Sequence, residues 1–291
     1  MNAMAFCAMC IGALACVMNV AAGENYKAVE RTLKVDDIDI HCRSYGEGEP
    51  LLMIMGYGST LQLWEEATIQ ALASRFKVIV FDNRGMGDTS TGQHAFSIEQ
   101  FADDAAGLIL ALGLDRVDVL GWSMGSLIAQ ELYLRHREKV KSLVLYASHC
   151  DASMYPSSPE VLQKMTDTSG TPEEQGMRYI SVLFPEEWLK SNGQRIREIF
   201  YRPMGKINGE NVWRQALAIG EWKGSTARLS SIDVPVLVLA GTDDQLVPAS
   251  NARFLSEKIP GAKLALLENA GHGLMFQDPS FFLEQVKTFL M

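Results

Sequence analysis

"RVDVLGWSMGSLIAQELYLR" occupies residues 116–135, and its reading decides the fold. Val117, Val119 and Leu120 make a short apolar run of the kind that forms a buried strand. Leu127, Ile128, Leu132 and Tyr133 recur at helical spacing. Between the two halves stands Gly121-Trp122-Ser123-Met124-Gly125. A serine between two glycines, led in by a strand and followed by a helix, marks a sharp strand-to-helix turn that lifts the hydroxyl above the sheet edge. The pentapeptide alone is a weak signal, since a small residue turning a corner would look the same. The flanking strand and helix separate the two readings. The helix start also offers the backbone N–H of Met124 to a developing negative charge.

Outward from this turn, strands and helices alternate. "KAVERTLKV", "IDIHCRSYG", "PLLMIMGYG" and "FKVIVFDNRG" read as strands, and "LQLWEEATIQALASR" as a helix. "SIEQFADDAAGLILALG" opens on Ser97 with Gln100 three residues later and closes at Gly113, a helix with both end signals. "KVKSLVLYAS" is a strand. The rhythm then breaks from 150 to 228, where helical patterns rich in Met and Trp replace it. "PVLVLAG", "ASNARFLSEKI", "AKLALLEN" and "SFFLEQVKTFL" resume the alternation. The expected fold class is α/β: a mostly parallel sheet with helices on both faces and a helical lid insertion. The core spans 24–149 and 229–291, with the lid at 150–228. The methionines and tryptophans of the lid suit either an adaptable apolar substrate surface or the core of its own helices.

Residues 1–23 differ from the body. They carry no charged side chain before Glu24, and "VAAG" offers small residues at a cleavage position. A cleaved signal peptide is expected, with a secreted or periplasmic product, although a basic n-region is missing. A retained membrane anchor and a true start at Met18 or later are the alternatives. Three of the five cysteines lie in this leader, so the body has no disulfide framework. The formal charge of -9, with no cluster of Lys or Arg, argues against nucleic acid and anionic membranes as partners.

A nucleophilic serine needs a base, and the base an orienting acid. Of the five histidines, His272 sits in a glycine-flanked loop after the last strand, at the sheet edge where open α/β folds bind ligands. His149 also follows a strand and is the second choice for the base, or a pocket residue. His41 lies in an early strand, and His136 lies among charged helix residues. "AGTDDQLVP" follows the penultimate strand and supplies Asp244, with Asp243 capping the loop or facing water and Asp151 as an alternative acid.

Taken together, "LLMIMGYGST", "VIVFDNRGMGDTS", "VLGWSMGS", "PVLVLAGTDDQLVP" and "NAGHG" resemble the α/β-hydrolase superfamily in order and spacing, from about residue 28 to 290. The combination is similar to lidded serine esterases, including the aclacinomycin methylesterase-like branch. The resemblance implies Ser123, Asp244 and His272 as a catalytic triad. It implies the backbone N–H groups of Tyr57 and Met124 as the oxyanion hole. It implies a small-molecule ester as substrate, and no metal or organic cofactor. Many members have His-Gly where this chain has Met55-Gly56, but the donor there is a backbone N–H, so no hydrogen bond to the intermediate is lost. Trp122 stands where others often carry histidine and is expected to wall the pocket. "DNRGMG" is expected to be structural glue. Carbon–carbon bond hydrolases, perhydrolases, aminopeptidases and acyltransferases use the same triad, and a non-catalytic receptor could use the same scaffold. An aminopeptidase would want lid carboxylates for a substrate amine; Glu173, Glu174, Glu186 and Glu187 are the candidates.

Overall fold

The computed structural model describes residues 25–291, so the leader and its expected signal peptide lie outside the described residues. The strands are β1 (Val29–Val35), β2 (Ile38–Tyr45), β3 (Glu49–Ile54), β4 (Phe76–Phe81), β5 (Val117–Trp122), β6 (Val140–Tyr146), β7 (Val236–Gly241) and β8 (Lys263–Leu267). Between β3 and β4 lies α1 (Glu66–Ala73). α2 (Ile98–Ala111) follows β4 and α3 (Met124–Arg135) follows β5. Between β6 and β7 come α4 (Pro159–Thr166), α5 (Pro172–Leu183), α6 (Glu186–Ser191), α7 (Gly193–Phe200) and α8 (Gly209–Glu221). α9 (Ala249–Lys258), α10 (Leu274–Gln277) and α11 (Pro279–Leu290) complete the chain.

The eight strands form one sheet in the order β1-β2-β4-β3-β5-β6-β7-β8. β1 and β2 run antiparallel to each other, and β2 antiparallel to β4. The rest pair in parallel. The parallel strands are buried on both faces, which is why they read as continuous apolar runs rather than alternating ones. Period-two geometry divides their side chains between two cores. Leu52, Ile54, Val119, Leu143, Leu145 and Val238 pack with α2, α3 and α9. Leu51, Met53, Leu120, Val144, Leu237 and Leu239 pack on the other face with α1, α10 and α11. Ser97 caps α2 by accepting from Gln100 N at 3.0 Å, as its sequence signal predicts.

The five helices α4–α8 form the segment that interrupts the alternation. α5 opens with a capping box between Thr171 and Glu174. The later part of the segment is tied to the loops after β3 and β4. Arg202 Nη2 donates to Leu63 O at 2.8 Å, and Gly87 N to Lys206 O at 3.0 Å. Asn211 Nδ2 donates to Gly85 O at 2.9 Å. The stretch through α4 has fewer ties: Ser157 Oγ donates to Leu246 O at 2.6 Å and Asn251 Nδ2 to Tyr155 O at 2.9 Å.

The loop after β4 holds a buried ionic cluster. Arg84 is fully buried and grips Asp104 through two hydrogen bonds of 2.8 and 2.6 Å. Its Nη2 is also 2.8 Å from Asp37. The guanidinium holds the Asp37 carboxyl well below the usual carboxylate range. Removing one partner of such a cluster leaves uncompensated charge in the interior. Arg84→Ala should therefore lose about 3–5 kcal/mol of unfolding free energy, read by urea denaturation. A loss below 1 kcal/mol would show that water or a nearby cation replaces the guanidinium.

Candidate active site

Every strand from β3 to β8 delivers a residue of interest at its carboxyl end, where parallel α/β sheets form their crevice. Ser123 follows β5, with φ 55 and ψ -122. Backbone torsions of that kind cost about 1–3 kcal/mol and persist only where the surroundings hold them. Ser123 N donates to Tyr146 O at 2.9 Å, and Ser126 N donates to Ser123 O at 2.8 Å. The two flanking glycines make the turn possible by close approach. A methyl on Gly121 would lie 2.2 Å from Gly125 O, and one on Gly125 would lie 2.1 Å from Ile54 O. The backbone of α3 therefore reaches the end of β3 with no side chain between them.

Asp244 and His272 meet after β7 and β8. Asp244 Oδ2 lies 2.8 Å from His272 Nδ1, with both side chains buried. The other carboxylate oxygen accepts from Leu246 N at 2.9 Å and Val247 N at 2.8 Å, which fixes the carboxyl plane. The backbone behind the imidazole is held as well. Tyr146 Oη donates to His272 O at 2.7 Å and Trp122 Nε1 donates to the same oxygen at 3.2 Å. Among the described residues no hydrogen bond joins Ser123 Oγ to the imidazole. Such contacts are often long before substrate binds and tighten afterwards.

Tyr57, Ser123 and Met124 share the wall of one cavity of about 300 Å³. Tyr57 N and Met124 N donate to no protein acceptor among the described residues. Met124 N is the first amide of α3, where a helix leaves its N–H groups free. The next amide along from Tyr57 is fixed from the helical insertion: Gly58 N donates to Gln215 Oε1 at 2.9 Å, and Gln215 is fully buried. From below, Asn83 Nδ2 donates to Met55 O at 3.0 Å, and Asp82 Oδ1 accepts from Leu61 N at 2.8 Å. Thus "DNRGMG" braces the loop after β3 as well as holding the ion cluster. Gln215, Asn83 and Tyr146 escape a sequence reading. A glutamine inside an amphipathic helix and a tyrosine ending a strand carry no pattern that announces them.

Trp122 departs from its expected place. It is 2% exposed, does not line the cavity, and stacks at 5.9 Å on Tyr146. The strand period turns it to the opposite sheet face, where it supports the His272 loop. His149 does line the cavity. Asp151, the alternative acid, bonds Ser153 rather than a histidine. The four candidate lid glutamates are exposed. Glu174 belongs to the capping box of α5, and Glu186 and Glu187 pair with Lys190. One group of possible metal ligands occurs among the described residues, Asp36, Asp37 and His94, but the Asp37 carboxylate is already engaged by Arg84 and by the amides of Gln93 and His94. No helix of the described residues is long and apolar enough to cross a membrane.

Burial lowers the His149 pKa from 6.5 to about 4. Between those values the unfolded chain binds a proton that the folded chain does not, so stability falls as pH drops through that window. His149→Gln removes this titration. The difference in unfolding free energy between the two proteins should shift toward the variant from pH 6.5 down to about 4 and then level off. Urea denaturation across that range checks it; a constant difference would mean that the ring titrates normally.

A family model for the alpha/beta hydrolase fold matches residues 49–279. The RutD protein of Azorhizobium caulinodans, assigned by its name to carbamate hydrolysis, is 28% identical over 87% of this chain and 95% of its own. A poly(3-hydroxyalkanoate) depolymerase of Ectopseudomonas oleovorans is 32% identical over 77% of each chain. Among solved structures, a thermophilic esterase from Thermogutta terrifontis superposes with a TM-score of 0.76 at 25% identity, over 91% of this chain and 98% of its own. The chain belongs to the α/β-hydrolase fold family, and its relatives are named as hydrolases and esterases.

Proposed function

We propose that this α/β-hydrolase-fold enzyme is a serine carboxylesterase that cleaves a small to medium, largely apolar ester through an acyl-enzyme. The observation that carries the reading is the strained Ser123 turn. It opens into an apolar cavity beside two unengaged amides, and a buried, hydrogen-bonded Asp244–His272 pair follows β7 and β8 at the same edge of the sheet. The names of the relatives point the same way, since carbamate hydrolysis and polyester depolymerisation both break an acyl–heteroatom bond. The motif likeness to the aclacinomycin methylesterase-like branch is a narrower form of the same reading.

In this mechanism His272 Nε2 takes the Ser123 proton as Oγ attacks the ester carbonyl. Asp244 holds the Nδ1–H tautomer and stabilises the imidazolium that forms. The amides of Tyr57 and Met124 receive the negative charge on the carbonyl oxygen; a donor of this kind contributes about 10²–10³ in rate. His272 returns the proton to the departing alkoxide. Water then repeats the attack on the acyl-enzyme, which frees the acid and restores Ser123. The α4–α8 segment serves as the lid, with Leu162 and Met165 of α4 facing the acyl chain.

Ser123→Ala should lower kcat for p-nitrophenyl butyrate by about 10³-fold or more with an unchanged circular dichroism spectrum. A fluorophosphonate should label the wild type at Ser123 and spare the variant. Turnover by a folded Ser123→Ala protein would overturn the assignment, and the absence of labelling would favour a non-catalytic receptor. Met165→Trp should move the preferred acyl chain to shorter lengths across acetate, butyrate and octanoate esters. An unchanged profile would place the chain outside this cavity.

A further inference from the structure

Tyr57, whose amide is the donor assigned to the loop after β3, has a glycine on each side, Gly56 and Gly58. Glycine lets a peptide plane turn at little cost, and Gly58 sits at φ +66. The loop therefore needs a hold from outside if one amide is to keep one direction. Among the described residues, one side chain from outside residues 56–59 hydrogen-bonds that stretch, and it belongs to Gln215 of α8. Gly58 N donates to Gln215 Oε1 at 2.9 Å, and an N–H donor fixes which end of the amide faces it. Val212, one turn earlier on α8, packs at the same place: a methyl on Gly58 would lie 3.6 Å from Val212 Cγ1. α8 is itself held at both ends. Asn211 Nδ2 donates to Gly85 O at 2.9 Å and to Thr91 Oγ1 at 3.0 Å. Trp222 Nε1, just past α8, donates at 2.8 Å to Glu131 Oε1 of α3, the helix whose first amide is Met124 N. The other end of the Gln215 amide is left over: Nε2 is sealed from solvent with no partner. An unpaired buried donor costs stability, and an apolar side chain of the same length would avoid that cost. What the glutamine contributes is its oxygen.

We propose that Gln215 is a positioning residue for the reaction: it holds the Tyr57–Gly58 peptide so that Tyr57 N faces the carbonyl oxygen of the substrate. This rests on the serine-esterase reading given above and adds to it a residue outside the cavity wall. By engaging Gly58 N, Gln215 also leaves Tyr57 N as the amide this loop offers to the cavity. Through Gln215 and Trp222, α8 ties the Tyr57 loop to α3, so both proposed oxyanion donors are set by one helix. The contact acts when charge gathers on the carbonyl oxygen, because a preorganised donor is worth most where charge develops. A bound substrate whose carbonyl is still neutral gains little from it. Loss of the contact is therefore expected in kcat rather than in KM.

The test uses Gln215→Met and Gln215→Leu, which remove the oxygen and keep a side chain of similar size, each checked for fold by circular dichroism. With p-nitrophenyl butyrate, kcat should fall by about 10–100-fold, and KM should stay within about twofold of wild type. Heptyl trifluoromethyl ketone takes Ser123 Oγ at its carbonyl carbon, and the oxyanion so formed lies on the same donors. Its affinity should weaken by the same factor as kcat. The Gly58 amide should exchange with deuterium about tenfold faster, or more, in the variants, measured by NMR. A folded variant with wild-type kcat and wild-type ketone affinity overturns the inference. A rise in KM alone, or a fall in kcat with unchanged Gly58 exchange, overturns it as well. A wild type that neither turns over esters nor binds the ketone removes the esterase reading and, with it, the role of Gln215 in the reaction. Faster Gly58 exchange in the variants would then leave a structural contact only.

Discussion

The close approach of Gly125 to the Ile54 carbonyl governs what the rest of the site can be. With no side chain at 121 or 125, the first turn of α3 lies against the end of β3. The serine turn and the loop after β3 thereby become neighbours, although about sixty-five residues separate them in sequence. Gly56 completes the contact: a methyl there would stand 3.3 Å from Ser123 Cβ. The amides of Tyr57 and Met124 reach one cavity wall because two backbones touch. The strain at Ser123 is held by the same arrangement, since the hydrogen bond from its N–H ties it to the neighbouring strand β6. Two absent side chains thus set the distance on which the proposed oxyanion chemistry depends.

Much of this was legible in the sequence for a definite reason. Buried parallel strands must be apolar throughout, so "RVDVLGW" and "PVLVLAG" declare themselves. Ser97 and Gly113 mark the ends of α2 because helix ends need partners for free amides and carbonyls. The pairing of Asp244 with His272 followed from the order of loops along the sheet. Residues that act through contacts between distant segments were not legible. Gln215 bonds Gly58 across 157 positions, and nothing within α8 points to that partner. Trp122 failed differently. Its proximity to Ser123 in sequence suggested the pocket, whereas strand alternation sent it to the other face to hold the carbonyl of His272.

The site also shows two ways in which a buried polar group is handled. Arg84, Asp104 and Asp37 neutralise one another inside the protein, and Asp82 divides its oxygens between the Leu61 amide and His41. These groups face opposite charge or backbone amides and give the loops after β3 and β4 one geometry. His149 is handled in the opposite way, fixed in place but with its ring nitrogens left without protein partners. The first arrangement fixes the framework, and the second leaves chemical capacity at the cavity wall.

The uneven anchoring of the α4–α8 segment has a consequence for how such a protein can change over time. Its later part carries Arg202, Asn211 and Gln215, each bonded to a loop that shapes the candidate site. Mutation there disturbs the framework and ligand contacts together, so selection has little freedom. The stretch through α4 is held through Ser157 and Asn251 near the start of α9, yet it supplies Leu162 and Met165 to the cavity. Substitutions or length changes in α4 can reshape the space available to a ligand while the framework stays whole. The fold thereby separates a region that must be inherited intact from one in which new specificities can be sampled.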